Sequence, residues 1–307
     1  MNIAIALLKA MRPKQWTKNL LVFAALIFAQ KAGEVGPGLR VTATFLLFCA
    51  LSGTIYLIND VVDLEGDRKH PRKRLRPIAS GQLPVGVAVA AAVVIAPLAV
   101  AGCFAVGPNT GFVALAYVGL TIAYNFILKH FVILDVLAVA GGFVLRAVAG
   151  AEAIGVEISP WLLMCTLLLA LFLALTKRRQ EIVLMEANAA ETRQTLSEYT
   201  TAMLDQMIAI VTASTLMSYC LYTISERTVR ELGSRDLLFT IPLVIYGIFR
   251  YLYLMHRHGE GEAPDRVLLT DAPLLLTVLI YVGLAIAIFY MAHGGLGGPL
   301  LPAGPGY

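Results

Sequence analysis

Nine apolar runs, each close to the length a helix needs to cross the hydrocarbon core of a bilayer, take up most of this 307-residue sequence. They fall at 20–32, 39–58, 85–106, 110–126, 132–154, 160–175, 207–225, 237–255 and 272–292, separated by polar stretches. Residues are 58% hydrophobic and only 14% charged, too apolar a balance for a soluble domain. The pattern predicts an all-α, polytopic membrane protein of nine transmembrane helices, organised as one domain over residues 1–307. The run at 20–32 is the shortest, and Lys31 at its end has to snorkel to the interface.

Orientation follows from lysine and arginine, which cytoplasmic loops retain. With nine spans, 17 of the 24 basic residues fall on the side of the N-terminus and five on the other, while Arg146 and Arg250 lie inside spans. This bias places the N-terminus inside and the C-terminus outside. Residues 1–18 hold an apolar run too short to span and no small-residue cleavage site, so they read as an interfacial amphipathic segment. The stretch 294–307, rich in Gly and Pro, reads as a flexible tail. Cys49, Cys103, Cys165 and Cys220 sit in different spans without metal-ligand spacing and read as small packing residues. Long charged loops follow the second and sixth spans, a two-part rhythm that hints at duplication.

The first of these loops, NDVVDLEGDRKHPRKRLRPIASG over 59–81, concentrates four acids and six bases. Asp60, Asp63 and Asp67 stand at i, i+3 and i+7, so a continuing helix lines them on one face, with Asn59 one turn below Asp63. Carboxylates in such a row repel unless a cation sits between them. Oxygen-only ligands favour Mg²⁺ or a similar ion shared with substrate phosphates. Directly after them come Arg68, Lys69, Arg72, Lys73, Arg74 and Arg76, and guanidinium and ammonium groups hold phosphate oxygens. A solvated loop of mutually neutralising charges is the bland alternative; three acids in helical phase beside six bases at a membrane mouth favour a metal–diphosphate site.

The second loop opens with Lys177-Arg178-Arg179-Gln180-Glu181 and runs through Glu186, Glu191, Arg193, Glu198 and Asp205. Lys177 and Glu181, at i and i+4, can pair, leaving Arg178 and Arg179 as stop-transfer charges or phosphate ligands. Leu196, Tyr199, Met203 and Met207 recur at helical spacing and predict an amphipathic helix feeding the seventh span. Lys14 and Lys18 flank Trp16 as headgroup anchors or phosphate contacts. Asp135 and Arg146 are expensive within an apolar span and imply function or pairing. About 16 Å of helix separates them, too far for a direct pair. Asp135, near Lys129, is expected in a polar cavity, and Arg146 reads as a counter-ion for another helix.

The Asn59-Asp60-Val61-Val62-Asp63 motif after the second span, with a second charged loop after the sixth, resembles the UbiA superfamily of intramembrane transferases. The resemblance covers nearly the whole chain. It rests on RPKQWTKNLLVFA from Arg12 and the 59–81 segment, supported by LKHFVILDVLAVAGGFVLRAVAGA from Leu128, KRRQE from Lys177 and FRYLYL from Phe249. It implies a helical bundle with a central lipid-accessible cavity, set in a bacterial cytoplasmic membrane with the active site on the cytoplasmic side. Membrane lipids are partners on this reading, a homo-oligomer is compatible with it, and no nucleic acid is involved.

Within the superfamily these segments are similar to the branch that moves 5-phosphoribosyl from phosphoribosyl pyrophosphate to polyprenyl (decaprenyl) phosphate, releasing pyrophosphate, for cell-envelope polysaccharide precursors. On that resemblance Asp60 and Asp63 are the catalytic Mg²⁺ ligands, supported by Asn59 and Asp67. Arg68, Lys73 and Arg76 then take donor phosphates, Lys177 and Arg178 the donor or lipid phosphate, and Lys14, Lys18, Lys129 and Asp135 complete the substrate set. The aromatic prenyltransferases of the superfamily carry a second aspartate-rich motif after the sixth span, where this chain reads KRRQE. A mixed acid and base site suits substrates with several phosphates. Two rival readings are prenyl transfer from a diphosphate to an aromatic acceptor, and a lipid-phosphate or anion transporter. One-sided charge clustering weighs against the transporter.

Overall fold

The computed structural model describes residues 2–29, 31, 33–70, 73–188, 198–258, 267 and 270–292. Arg72, Glu191, Arg193, Leu196, Arg266 and the 294–307 tail lie outside them, as does the side chain of Glu186. The described residues are helical, without a strand, and form two compact units: Met1–Lys129 with Gly141–Ile158, and His130–Ala140 with Ser159–Tyr307. Among them, seven helices are long and apolar enough to cross a membrane.

The first unit holds α1 (Ile3–Ala10), α2 (Ala24–Phe28), α3 (Val35–Val62), α4 (Leu64–Lys69), α5 (Val85–Val106), α6 (Pro108–Phe126) and the later turns of α7 (Leu134–Ile154). A 3₁₀ helix over Pro13–Phe23 joins α1 to α2. Asn2 caps α1 by accepting the Ala4 N–H at 3.1 Å, and Ala6 and Ala10 bury its inner face against Leu57, Ile78, Leu83 and Ala88. Ile3, Ile5 and Leu8 stay exposed, and the helix stops at Ala10. A second core gathers Val22, Phe48, Leu51, Cys103, Ala114, Tyr117 and Ala149. With 28 residues, α3 measures about 42 Å, longer than a hydrocarbon core, so its polar C-terminal turn can stand clear of lipid.

Two of the nine expected spans are not among the seven. The described residues of 20–32 continue the 3₁₀ helix to Phe23 and then form the five-residue α2; the 3₁₀ helix starts back in the polar 14–19 stretch, whose Asn19 is tied down inside the unit. The 19-residue α6 matches its expected span closely, but Asn109, Thr110, Tyr124 and Asn125 dilute its apolar character.

The second unit contains the start of α7, then α8 (Pro160–Asn188), α9 (Thr201–Ile224), α10 (Glu226–Leu232), α11 (Ile241–His258) and α12 (Ala272–Ala292). Its core packs Phe172, Leu175, Leu204, Ile208, Tyr251, Leu254 and Leu274. α8 does not end at 175; it runs on through Lys177–Glu181, so these charges project from a helix. Thr200 caps α9 by accepting the Met203 N–H at 3.1 Å. Asp271 caps α12 by accepting the Leu274 N–H at 2.9 Å and takes the Arg250 fork at 3.2 and 2.8 Å, which answers the charge of that intraspan arginine.

Candidate active site

The row of three aspartates is broken by the backbone. α3 ends at Val62, Asp63 caps it with ψ near 12°, and α4 starts a new helix at Leu64, so helical phase is not carried from Asp60 to Asp67. Asp60 and Asp67 nevertheless converge, with side chains only 2% and 3% exposed. One nitrogen serves both: Arg76 Nη1 lies 3.1 Å from Asp60 Oδ1 and 2.5 Å from Asp67 Oδ2. Arg12 Nη2 also donates to Asp60 Oδ1. Lys9, Ala10, Arg12, Asp60, Leu75, Arg76 and Pro77 line a cavity of about 330 Å³ at this point.

Asp63 faces elsewhere and meets Lys129 Nζ at 3.5 Å. Asp60, Asp63 and Asp67 are thus not gathered in this arrangement, and no group of three or more acidic, His or Cys ligands able to hold a metal occurs among the described residues. Two carboxylates aimed at one cationic position still fit a single Mg²⁺, which takes one or two protein carboxylates and completes its shell from water and substrate phosphates. Arg68 pairs with Glu65 at 3.2 Å in an exposed position, and Lys73 and Lys14 are exposed, while Asn59 and Lys18 are half-buried.

Arg12 is the residue that sequence reasoning missed, because it counted there only as a topology-setting charge. Its guanidinium lies 4.7 Å from the centre of the Tyr56 ring, and its backbone is left-handed at φ 55°. That conformation is uncommon for a residue with a Cβ, more so before Pro13, and typically costs about 1–3 kcal/mol. The Arg-Pro dipeptide at the entry to an apolar segment was the available cue.

The second unit builds its own buried network. Asp135 accepts from Arg178 Nε at 2.8 Å and from the Tyr199 hydroxyl at 2.8 Å; that hydroxyl in turn accepts the Ile133 N–H at 2.7 Å. Ile133, β-branched at φ 71°, is the other described non-glycine residue with a left-handed backbone. Burial pushes the Tyr199 phenol up to about 12, which keeps it protonated as a donor. Arg178 Nη1 reaches Glu181 at 2.5 Å, and Arg179 grips Asp205 with two bonds of 2.5 and 3.2 Å. Neither arginine is left over once Lys177 approaches Glu181 at 4.0 Å, which corrects that expectation.

Chemically, the first cluster is a balanced set of two carboxylates and two guanidiniums: the acids suit a cation and the bases suit phosphate oxygens. Residues 20–270 match the UbiA prenyltransferase family. A Corynebacterium glutamicum protein named decaprenyl-phosphate phosphoribosyltransferase is 37% identical over 94% of this chain and 88% of its own length. A Mycobacterium tuberculosis protein of the same name is 34% identical over 93% of this chain and 96% of its own. The fold is shared with a UbiA homologue from Archaeoglobus fulgidus bound to GPP and Mg²⁺, at a TM-score of 0.70 and 17% identity over 92% of this chain and 99% of that one.

Proposed function

This chain belongs to the UbiA prenyltransferase family, and from that membership we propose that it transfers 5-phosphoribosyl from phosphoribosyl pyrophosphate to a polyprenyl phosphate such as decaprenyl phosphate, releasing pyrophosphate. The observation that carries the reading is the pairing of Asp60 with Arg12 and Arg76 on one cavity wall, with Asp67 held by the same Arg76 nitrogen behind it. A donor bearing both a diphosphate and a separate phosphate needs cationic ligands beside its metal ligands, and this cluster supplies both.

In this assignment Asp60 and Asp67 hold Mg²⁺, with Asp63 and Asn59 next to them on the chain. When bound, that ion supplies Lewis-acid neutralisation of charge on the leaving pyrophosphate. Arg12 and Arg76 turn from the carboxylates to the donor phosphates and stabilise the same growing charge electrostatically. The acceptor phosphate is ionised at neutral pH, so no strong general base is required. Departure of pyrophosphate from the anomeric carbon builds oxocarbenium character, as in other glycosyl transfers. Lys14 and Lys18, a few residues from Arg12, are assigned to the lipid phosphate. The basic-residue bias supports a cytoplasmic N-terminus and active site, in one transferase domain.

Incubating purified protein with ribose-labelled phosphoribosyl pyrophosphate and decaprenyl phosphate, with and without Mg²⁺, tests the reading. Mg²⁺-dependent label in the lipid extract is expected. Label entering product only from the prenyl chain of a prenyl diphosphate would replace it with prenyl transfer.

A further inference from the structure

Arg146 is a cation buried to 8% exposure in the first unit, on a helix long and apolar enough to cross a membrane. Among the described residues its hydrogen bonds go to neutral acceptors: Nε to Asn19 Oδ1 at 2.7 Å, Nη1 to the Gly142 carbonyl at 2.8 Å and Nη2 to the Tyr117 hydroxyl at 2.8 Å. The rings of Tyr117 and Phe143 lie 4.8 and 5.2 Å from it. Dipoles and ring faces hold this charge, which corrects its expected role as a counter-ion. A membrane interior retains so costly a group for a purpose.

What Arg146 holds is Asn19, itself 1% exposed. Asn19 presents its oxygen to Arg146 and its amide N–H groups to Ser52 Oγ at 3.1 Å and Cys49 Sγ at 3.3 Å on α3. The guanidinium sets the sense of that amide, because a flipped Asn19 would turn its NH₂ toward a cation. Ser52 donates its own proton to the Cys49 carbonyl at 3.1 Å and so is committed to accepting from Asn19.

Lengths along the two elements agree. From Arg12 to Asn19 is seven residues of mostly 3₁₀ helix, about 14 Å at 2 Å per residue. From Asp60 back to Ser52 is eight residues of α3, about 12 Å. The pairs Arg12–Asp60 and Asn19–Ser52 are thus two rungs in one register, and a slip of one 3₁₀ turn would carry Arg12 about 6 Å from Asp60. Gly150 adds a second constraint: a Cβ there would collide with the Val22 carbonyl, so the same segment is seated directly on α7.

Building on the donor-site reading above, we propose that Arg146 is a positioning residue of that site: through Asn19 it sets the register of residues 13–23 on α3 and so seats Arg12 beside Asp60 for the donor's phosphates. The test is equilibrium binding of labelled phosphoribosyl pyrophosphate, with Mg²⁺, to the full chain in nanodiscs, for Arg12→Ala, Asn19→Ala, Arg146→Lys and the Arg12→Ala/Arg146→Lys double variant. Each single variant should weaken donor binding by about tenfold or more, as expected for loss of one charge-assisted hydrogen bond; Arg12→Ala should leave the KM for decaprenyl phosphate unchanged, whereas the two register variants, which also displace Lys14 and Lys18, should raise it. The double variant should bind no more weakly than Arg12→Ala alone, the signature of two residues acting through one contact. Additive losses, or wild-type donor binding in Asn19→Ala and Arg146→Lys, would overturn the register role. Unchanged donor binding in Arg12→Ala would instead overturn the donor-site reading, and the proposal with it. Arg146→Lys keeps the buried charge and loses only the fork, while Asn19→Ala removes the same tie from the other side, so concordant defects separate register from misfolding.

Discussion

Removing the side chain of Arg76 leaves Asp60 and Asp67, only 2% and 3% exposed, facing one position without their shared cation. Asp60 keeps Arg12, whereas the ion pair of Asp67 is lost. Breaking a fully buried pair costs about 3–5 kcal/mol. Because the Arg76 side chain is 26% exposed, solvent already screens part of the interaction, and a loss of about 2–3 kcal/mol is the appropriate figure. At roughly 2–4 °C per kcal/mol, Arg76→Ala should lower the thermal midpoint in detergent by about 4–12 °C. Two carboxylates released from a tethered guanidinium are also a better site for a free divalent ion. Mg²⁺ at about a hundred times its Kd should then restore about 2.7 kcal/mol to the variant, a larger shift than in the parent, where the ion competes with Arg76. Thermal unfolding of both proteins with and without Mg²⁺ measures both effects. An Arg76→Ala protein as stable as the parent, or one that gains no more from Mg²⁺, would refute the idea that Arg76 occupies a shared cation position.

Asp60→Asn keeps the shape of the side chain and removes its charge, so transfer of label into lipid should fall by about a hundredfold or more while the protein still folds; near-normal turnover would exclude Asp60 as a metal ligand. Tyr199→Phe deletes the hydroxyl that accepts from Ile133 and donates to Asp135, and should cost about 2–3 kcal/mol in thermal unfolding. Because burial raises the folded phenol from 10.0 to about 12, its stabilisation is complete below 10 and is lost only as pH rises from there through 12; the gap between Tyr199→Phe and the parent should stay constant from pH 6 to 9 by thermal melts. Gly150→Ala pushes a methyl into the Val22 carbonyl and should destabilise by about 1–3 kcal/mol, whereas Gly86→Ala, with open space at its Cβ, serves as the neutral control in the same melts.

The long helices were legible because hydropathy is a local property and a bilayer sets one length scale for it. Two spans, 85–106 and 272–292, coincide with α5 and α12 to the residue. The charge content of the 59–81 segment was legible for a similar reason, since four acids and six bases in one short stretch are a property of neighbouring residues alone. Their geometry was not. A helix break at Asp63 cannot be read from spacing, and it turned that carboxylate to Lys129 while Asp67 swung back toward Asp60.

By itself, the sequence determined an all-helical membrane chain with its charge chemistry concentrated around Asp60, because segment length, apolarity and local charge density depend only on neighbouring residues. Tertiary structure decided which charges meet. Arg12 reaches Asp60 across 48 positions, Arg178 reaches Asp135 across 43, and Arg146 reaches Asn19 across 127. Such pairings follow from the packing of whole helices, because each buried ion takes the partner that packing brings within hydrogen-bond distance, however far away that partner lies in the chain.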